Sequence, residues 1–112
     1  MHPSVMPTKI TVPFSSAKLH RDTHNWKNWD CSFLAFITMN QLASYIIPPY
    51  TYMPSPTSEP QAFSYYMDNL NMCIAALSCI DKTLYDLIDY KKGICESYKN
   101  LKEHCQGVGP ID

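Results

Sequence analysis

Charge is the first scarcity. Only 17% of the 112 residues are Asp, Glu, Lys or Arg, where a globular chain carries about a quarter. Nine basic and ten acidic residues nearly cancel, leaving a net charge of -1. That balance argues against a strongly basic nucleic-acid arm and against an anionic-membrane binder. Glycine is scarcer still, at three residues, so phosphate-cradling glycine loops have nothing to be built from. No Cys-x-x-Cys occurs, and five cysteines, an odd number, cannot all pair within the chain. Met1 to Ile10 hold no apolar run, which predicts no secretory signal. Together these features predict a cytoplasmic, reducing setting with free thiols.

Long apolar runs are also missing. The longest candidate, Cys31 to Ile47, is uncharged over seventeen residues. It is interrupted by Ser32, Thr38, Asn40, Gln41 and Ser44 and ended by Pro48-Pro49. A membrane span needs about 20 mainly apolar residues, so this segment reads as a largely buried helix and no membrane partner is expected. No strand-type alternation of any length and no internal repeat appears.

Proline gives the layout. Eight of nine prolines precede residue 61, and the chain divides there. Residues 1–24, with Pro3, Pro7 and Pro13, read as an extended or mobile N-terminal arm, in which alternating Ile10, Val12 and Phe14 can lie against a domain. Residues 25–46 read as a first helix, with Thr23 or Asn25 as cap. Its stripe is Trp26, Trp29, Phe33, Phe36 and Ile37, and Pro48 ends it. Residues 48–60 form a Pro/Tyr-rich loop with Ser58 as the next cap.

Residues 60–80 read as a second helix with an apolar stripe of Phe63, Tyr66, Met67, Leu70, Ile74 and Leu77, and Cys73 and Ile80 at its margin. Residues 31–80 contain only two charges, Glu59 and Asp68, so this stretch is interior or offers a partner surface. Residues 81–90 read as a short third helix capped by Asp81, with Leu84, Leu87 and Ile88 inward and Lys91-Lys92-Gly93 at its end. Residues 94–106 read as a fourth, with Ile94, Tyr98, Leu101 and Cys105 inward. The expected fold is all-α, a small orthogonal or irregular bundle of about four to five helices over 25–106, with the arm at 1–24 and a tail at 107–112. Its candidate core is Trp26, Trp29, Phe33, Ile37, Leu70, Ile74, Leu77, Leu84, Tyr98 and Leu101.

Chemistry-bearing constellations are few. Trp26 and Trp29, three apart around Lys27, are either core anchors or a base-stacking platform. A platform needs neighbouring cations and only Lys27 is close, so core is the reading. Cys73 and Cys79 fall on different helix faces, and His104 and Cys105 are adjacent and diverge by about 100°. No metal site and no cofactor is expected. His2, His20, His24 and His104 lack a nucleophile elbow or acidic dyad around them. Asp86 and Asp89 read as solvated charges. The expectation is a non-enzymatic protein with no small-molecule substrate.

The order of blocks resembles the N-terminal part of copia-type retrotransposon Gag polyproteins. Asn25-Trp26-Lys27-Asn28-Trp29 is similar to that family's Asn-aromatic-x-x-Trp opening, and Leu42-Ala43-Ser44-Tyr45-Ile46 to its Leu-x-x-Tyr-Ile phrase. Tyr66-Met67-Asp68 through Ile74, Leu77 and Ile80, then Leu84 to Ile88, follow in the same order. Ile94 through Tyr98 to Leu101 takes the place of the closing Ala-x-x-x-Trp-x-x-Leu. The resemblance covers about residues 19–106. The glycine often found before the Asn is replaced by Arg21-Asp22 nearby, and the late Trp is Tyr98. The chain ends near where a second capsid lobe would begin, without the Cys-x2-Cys-x4-His-x4-Cys knuckle. The resemblance implies a capsid-like first lobe, an element remnant or a host-adopted one, that self-associates. With net charge -1 and Lys91-Lys92 as the closest basic grouping, weak homo-oligomerisation and weak or no nucleic-acid binding are expected. The alternative is an unrelated helical module binding a partner through loop 48–60.

Overall fold

A computed structural model describes residues 8–21, 25–46 and 59–106. Among them the chain forms three α-helices: α1 (Trp26–Met39), α2 (Glu59–Ser78) and α3 (Ile94–Cys105). Two 3-10 turns, Ala43–Tyr45 and Lys82–Leu87, complete the order. No strand occurs among the described residues beyond one isolated parallel bridge between Leu19 and Ile80. The fold is a small all-α bundle. Of loop 48–60, only Glu59 and Pro60 are described, in the first turn of α2. The proposed cap Ser58, and residues 47–57 with it, lie outside the described residues, as do 1–7, 22–24 and the 107–112 tail.

α1 stops earlier than its proline implies. Gln41 takes a left-handed backbone at φ 61°. Leu42 N–H then donates to Ile37 C=O at 2.9 Å, and Gln41 N–H to Thr38 C=O at 3.1 Å. This pair of backward bonds satisfies the helix's last carbonyls. Leu42 and Ile37, which flank the turn, are both fully buried. The termination is therefore local and precedes Pro48 by about two turns. At the other end Asn25 occupies the cap position without a side-chain cap bond. Its carboxamide ties the preceding segment instead, accepting from His20 N–H at 3.1 Å and donating to Lys18 C=O at 2.8 Å.

Residues 8–21 are extended, yet they are part of the core. Leu19 is fully buried. Its N–H donates to Cys79 C=O at 2.8 Å, and Asp81 N–H returns to Leu19 C=O at 2.9 Å. The Cys79 carbonyl also accepts Trp29 Nε1–H at 2.8 Å. One carbonyl at the end of α2 thus fastens both the N-terminal segment and α1. Phe14 completes an aromatic cluster, standing edge-on to Trp29 with centroids 5.7 Å apart and to Phe33 at 5.2 Å. Trp29 stacks on Phe33 at 4.9 Å. Such geometry exploits the ring quadrupoles beyond simple burial.

The second departure concerns α2. Its buried side is Met72, Cys73, Ala76 and Ile80, with Ser64, Asp68 and Asn69 toward its start. Ile74, assigned to the core from sequence, is half exposed at 51%, and Phe63 and Tyr66 are exposed too. Leu70 is only half-buried, and Leu77 is half-buried but packed against the core. The physical reason is that α2 carries apolar residues on both faces, and periodicity cannot choose between them. The face that packs has small residues, Cys73 and Ala76, which allow close approach. Asp68 and Asn69 find partners across the bundle, as described below, while the buried Ser64 hydroxyl has none among the described residues. Trp26, Trp29, Phe33, Ile37, Leu84 and Leu101 are buried, and Tyr98 packs on the core half-buried.

Residues 82–87 wind as a 3-10 turn rather than an α-helix. Asp81 caps it by accepting from Thr83 N–H at 3.2 Å. Ile88 N–H closes on Tyr85 three residues back, and Ile88 turns extended. Gly93, at φ 93°, then leads directly into α3.

Candidate functional site

Three buried polar side chains hold the bundle's parts together. Asp68, on α2, accepts from Thr8 N–H at 2.7 Å, Thr8 Oγ1–H at 3.1 Å and Tyr45 Oη–H at 2.8 Å. Burial, and then the Asp68 carboxylate, push the Tyr45 phenol well above its ordinary range. Tyr45 therefore stays a donor at any physiological pH. Asn40, 3% exposed, accepts Thr11 N–H at 2.9 Å and Val12 N–H at 3.1 Å, and donates to Val12 C=O at 2.8 Å. Asn69 accepts Ile94 N–H at 2.9 Å, capping α3 from another helix, because Gly93 has no side chain to do so.

None of these groups is poised for catalysis. Each polar atom is spent on backbone or on a neutral hydroxyl, as a structural tie requires. Cys73 is buried, and that burial pushes its thiol up to about 11, so the nucleophilic thiolate is suppressed. Cys105 is raised by the same cause. Cys31 is exposed and Cys79 buried, and no disulfide forms among the described residues. His20 lies 3.8 Å from Asp81, and the His104 ring is 2.9 Å from Asn100 C=O; His2 and His24 lie outside the described residues. Asp89 accepts from Lys91 and Lys92 N–H in a local turn, and Asp86 is exposed. Tyr98 donates to Asp30, and burial followed by that contact raises its phenol. Among the described residues, no three His, Cys, Asp or Glu side chains gather as metal ligands.

The tryptophan pair is not a stacking platform. Trp26 is 5% exposed and Trp29 1%, and the two rings stack on each other at 5.7 Å. Bases have no access to them.

What remains open is one side of α2. Phe63, Tyr66 and Ile74 are the most exposed large apolar residues described on this helix, at 56%, 54% and 51%. Met67, Leu70 and Leu77 are half-buried beside them. At 3.6 residues per turn these six positions fall within about a 100° arc, opposite Met72 and Ala76. Ile74 also borders an open groove of about 500 Å³ between α2 and the N-terminal segment, lined by Ile10, Pro13, Phe14, Phe36 and Ala75 together with the polar Thr8, Asn71 and Ser78 and the exposed Lys9. The sequence stripe named this face correctly as apolar, but Phe63, Tyr66 and Ile74 face outward, while Leu77 at its edge packs partly against the core.

No helix among the described residues is long and apolar enough to cross a membrane. Compared with family models, curated proteins and solved structures, the chain matches none.

Proposed function

We propose that this chain is a non-enzymatic structural domain that works by self-association in the cytoplasm, of the kind formed by the first capsid lobe of copia-type Gag polyproteins. The order of sequence blocks from Asn25-Trp26-Lys27-Asn28-Trp29 to Leu101 supports the family reading. The observation that carries the interaction reading is the outward apolar face of α2. With the core side of the helix already packed, Phe63, Tyr66 and Ile74 leave about half of their surface in water within the monomer. The bound-up Asp68, Asn40 and Asn69 and the suppressed Cys73 thiolate support the absence of catalysis. A capsid-type lobe is a monomer or weak oligomer at micromolar concentration and builds larger assemblies when concentrated. Electron microscopy of the purified chain, taken to about millimolar concentration, tests this. Multi-subunit arcs or particles support the capsid reading. Nothing larger than a dimer rejects it.

A further inference from the structure

We infer that the outward face of α2 is a homotypic contact, in which two copies pair their α2 helices antiparallel about a two-fold axis at Leu70. This rests on the self-association reading and names its surface. The occupant follows from charge. α2 offers no Lys or Arg anywhere along Glu59–Ser78. The only charged residue after Glu59 is Asp68, which is buried and hydrogen-bonded to Tyr45 and Thr8. An acidic or basic partner therefore finds nothing to complement. A membrane surface wants the Lys/Arg rim of an interfacial helix, and here α2 supplies no cation and the groove beside Ile74 only one, Lys9. A second copy of the same stripe, uncharged from Phe63 to Leu77, meets no like charge across it, with Lys9 off to the side in the groove beside Ile74, and a two-fold contact is self-complementary by construction.

The register follows from helix geometry. Leu70 is the midpoint of the stripe from Phe63 to Leu77. In an antiparallel pair Leu70 meets its own counterpart, Tyr66 meets Ile74 of the other copy, and Phe63 meets Leu77. The stripe is about 21 Å long and about 10 Å wide, so each copy covers on the order of 200–400 Å². A standard stable interface covers about 800 Å² per partner. The pair is accordingly weak, dissociating at roughly 0.1–1 mM. Weak pairwise contacts of this sort hold an assembly only when several act together.

Sedimentation velocity from about 10 µM to 1 mM tests the contact, on the unmodified chain and on Ile74→Lys and Tyr66→Glu. Both positions are more than half exposed, and circular dichroism melts verify that the variants stay folded. The unmodified chain shifts from monomer to dimer across this range. Each variant alone weakens pairing at least tenfold. Mixing the two restores it, because the register sets the carboxylate introduced in one copy against the ammonium introduced in the other. Dimerisation untouched by both substitutions overturns the proposal, and so does pairing that the mixture fails to restore. An unmodified chain still monomeric at 1 mM overturns it as well, and an apolar dye bound there and lost in Ile74→Lys then assigns the face to a different protein. Pairing by the predicted register without larger assemblies upholds this contact while the capsid reading fails. Particles that persist in Ile74→Lys do the reverse.

Discussion

At position 41 a glutamine occupies a backbone that glycine prefers. An L-residue at φ 61° sets its Cβ against the following carbonyl, at a cost of about 1–2 kcal/mol. Gln41→Gly relieves this while keeping the α1 terminating bonds, and loses some of the gain to a freer unfolded chain. The expected net is about 0.5–1 kcal/mol of added stability, read from urea denaturation. Gly93 is the opposite case. Its φ is 93° and a Cβ there would sit 2.6 Å from Asn69 Oδ1, the atom that caps α3 through Ile94 N–H. Gly93→Ala therefore adds strain and displaces the cap together, and about 2–3 kcal/mol of destabilisation is expected. A variant as stable as the parent would refute that placement of Asn69. Cys73 sets a pH dependence. Its folded value of about 11 lies above the ordinary 9.0, so its contribution is complete below pH 9. It is lost as pH climbs from about 9 to about 11, where the unfolded thiol ionises and the buried one resists. The denaturation midpoint should stay level up to about pH 9 and then fall, and Cys73→Ala should flatten part of the fall.

Among the elements, the extended segment 8–21 is held by side chains that belong to helices and their ends. Asn40 alone binds the backbone of Thr11 and Val12 and the Phe36 carbonyl. Replacing it with Ala removes the bonds to the exposed Thr11 and Val12 backbone and leaves the Phe36 carbonyl with the backbone N–H of position 40 alone, a loss of about 1 kcal/mol per bond. Asn40→Ala is expected to lose about 2–3 kcal/mol. It should also speed amide exchange at Thr11 and Val12 while α3 stays protected, because α3 shares none of those bonds. Uniform acceleration through all helices would mean the segment has no separate attachment. Proline content marked this stretch as non-helical, and it is. The alternation of Ile10, Val12 and Phe14 marked a stretch able to lie on the domain, and Ile10 and Phe14 do pack on the core while Val12 is exposed. The full burial of Leu19 was not visible, since it stands between Lys18 and His20 and carries no periodic signal. α1 and α3 were legible because each has one apolar stripe and an opposite polar side. α2 has two apolar sides, and its true inner face is marked by polar residues, Asp68 and Asn69, whose partners lie on other elements.

For the molecule as a whole, nucleic-acid affinity is governed by how many cations can meet phosphates. Lys91, Lys92 and Lys102 are exposed, and Lys99 lies 3.7 Å from Glu96. Three or four lysines on a chain of net charge -1 release few counterions. Fluorescence anisotropy with a single-stranded RNA should detect only weak binding at about 50 mM salt and essentially none at about 200 mM. Submicromolar binding that survives the higher salt would reveal a basic surface elsewhere. The tryptophans would not be its platform, because the bundle encloses both rings.

The sequence by itself determined the all-helical class, the non-helical character of the N-terminal segment, and the burial of Trp26, Trp29, Phe33, Ile37, Leu84 and Leu101. Each follows from spacing or from residue chemistry within a few positions, and local geometry cannot be overruled cheaply there. Tertiary structure decided which side of α2 faces in, where α1 ends, and that residues 8–21 join the core. Those outcomes depend on partners distant in sequence: Thr8 and Tyr45 for Asp68, Ile94 for Asn69, Thr11 and Val12 for Asn40. A buried polar group is tolerable only once those partners arrive. The packed face of α2 is therefore the one whose Asp68 and Asn69 can be paired, with only the Ser64 hydroxyl left over among the described residues, and the more uniformly apolar face is left outside.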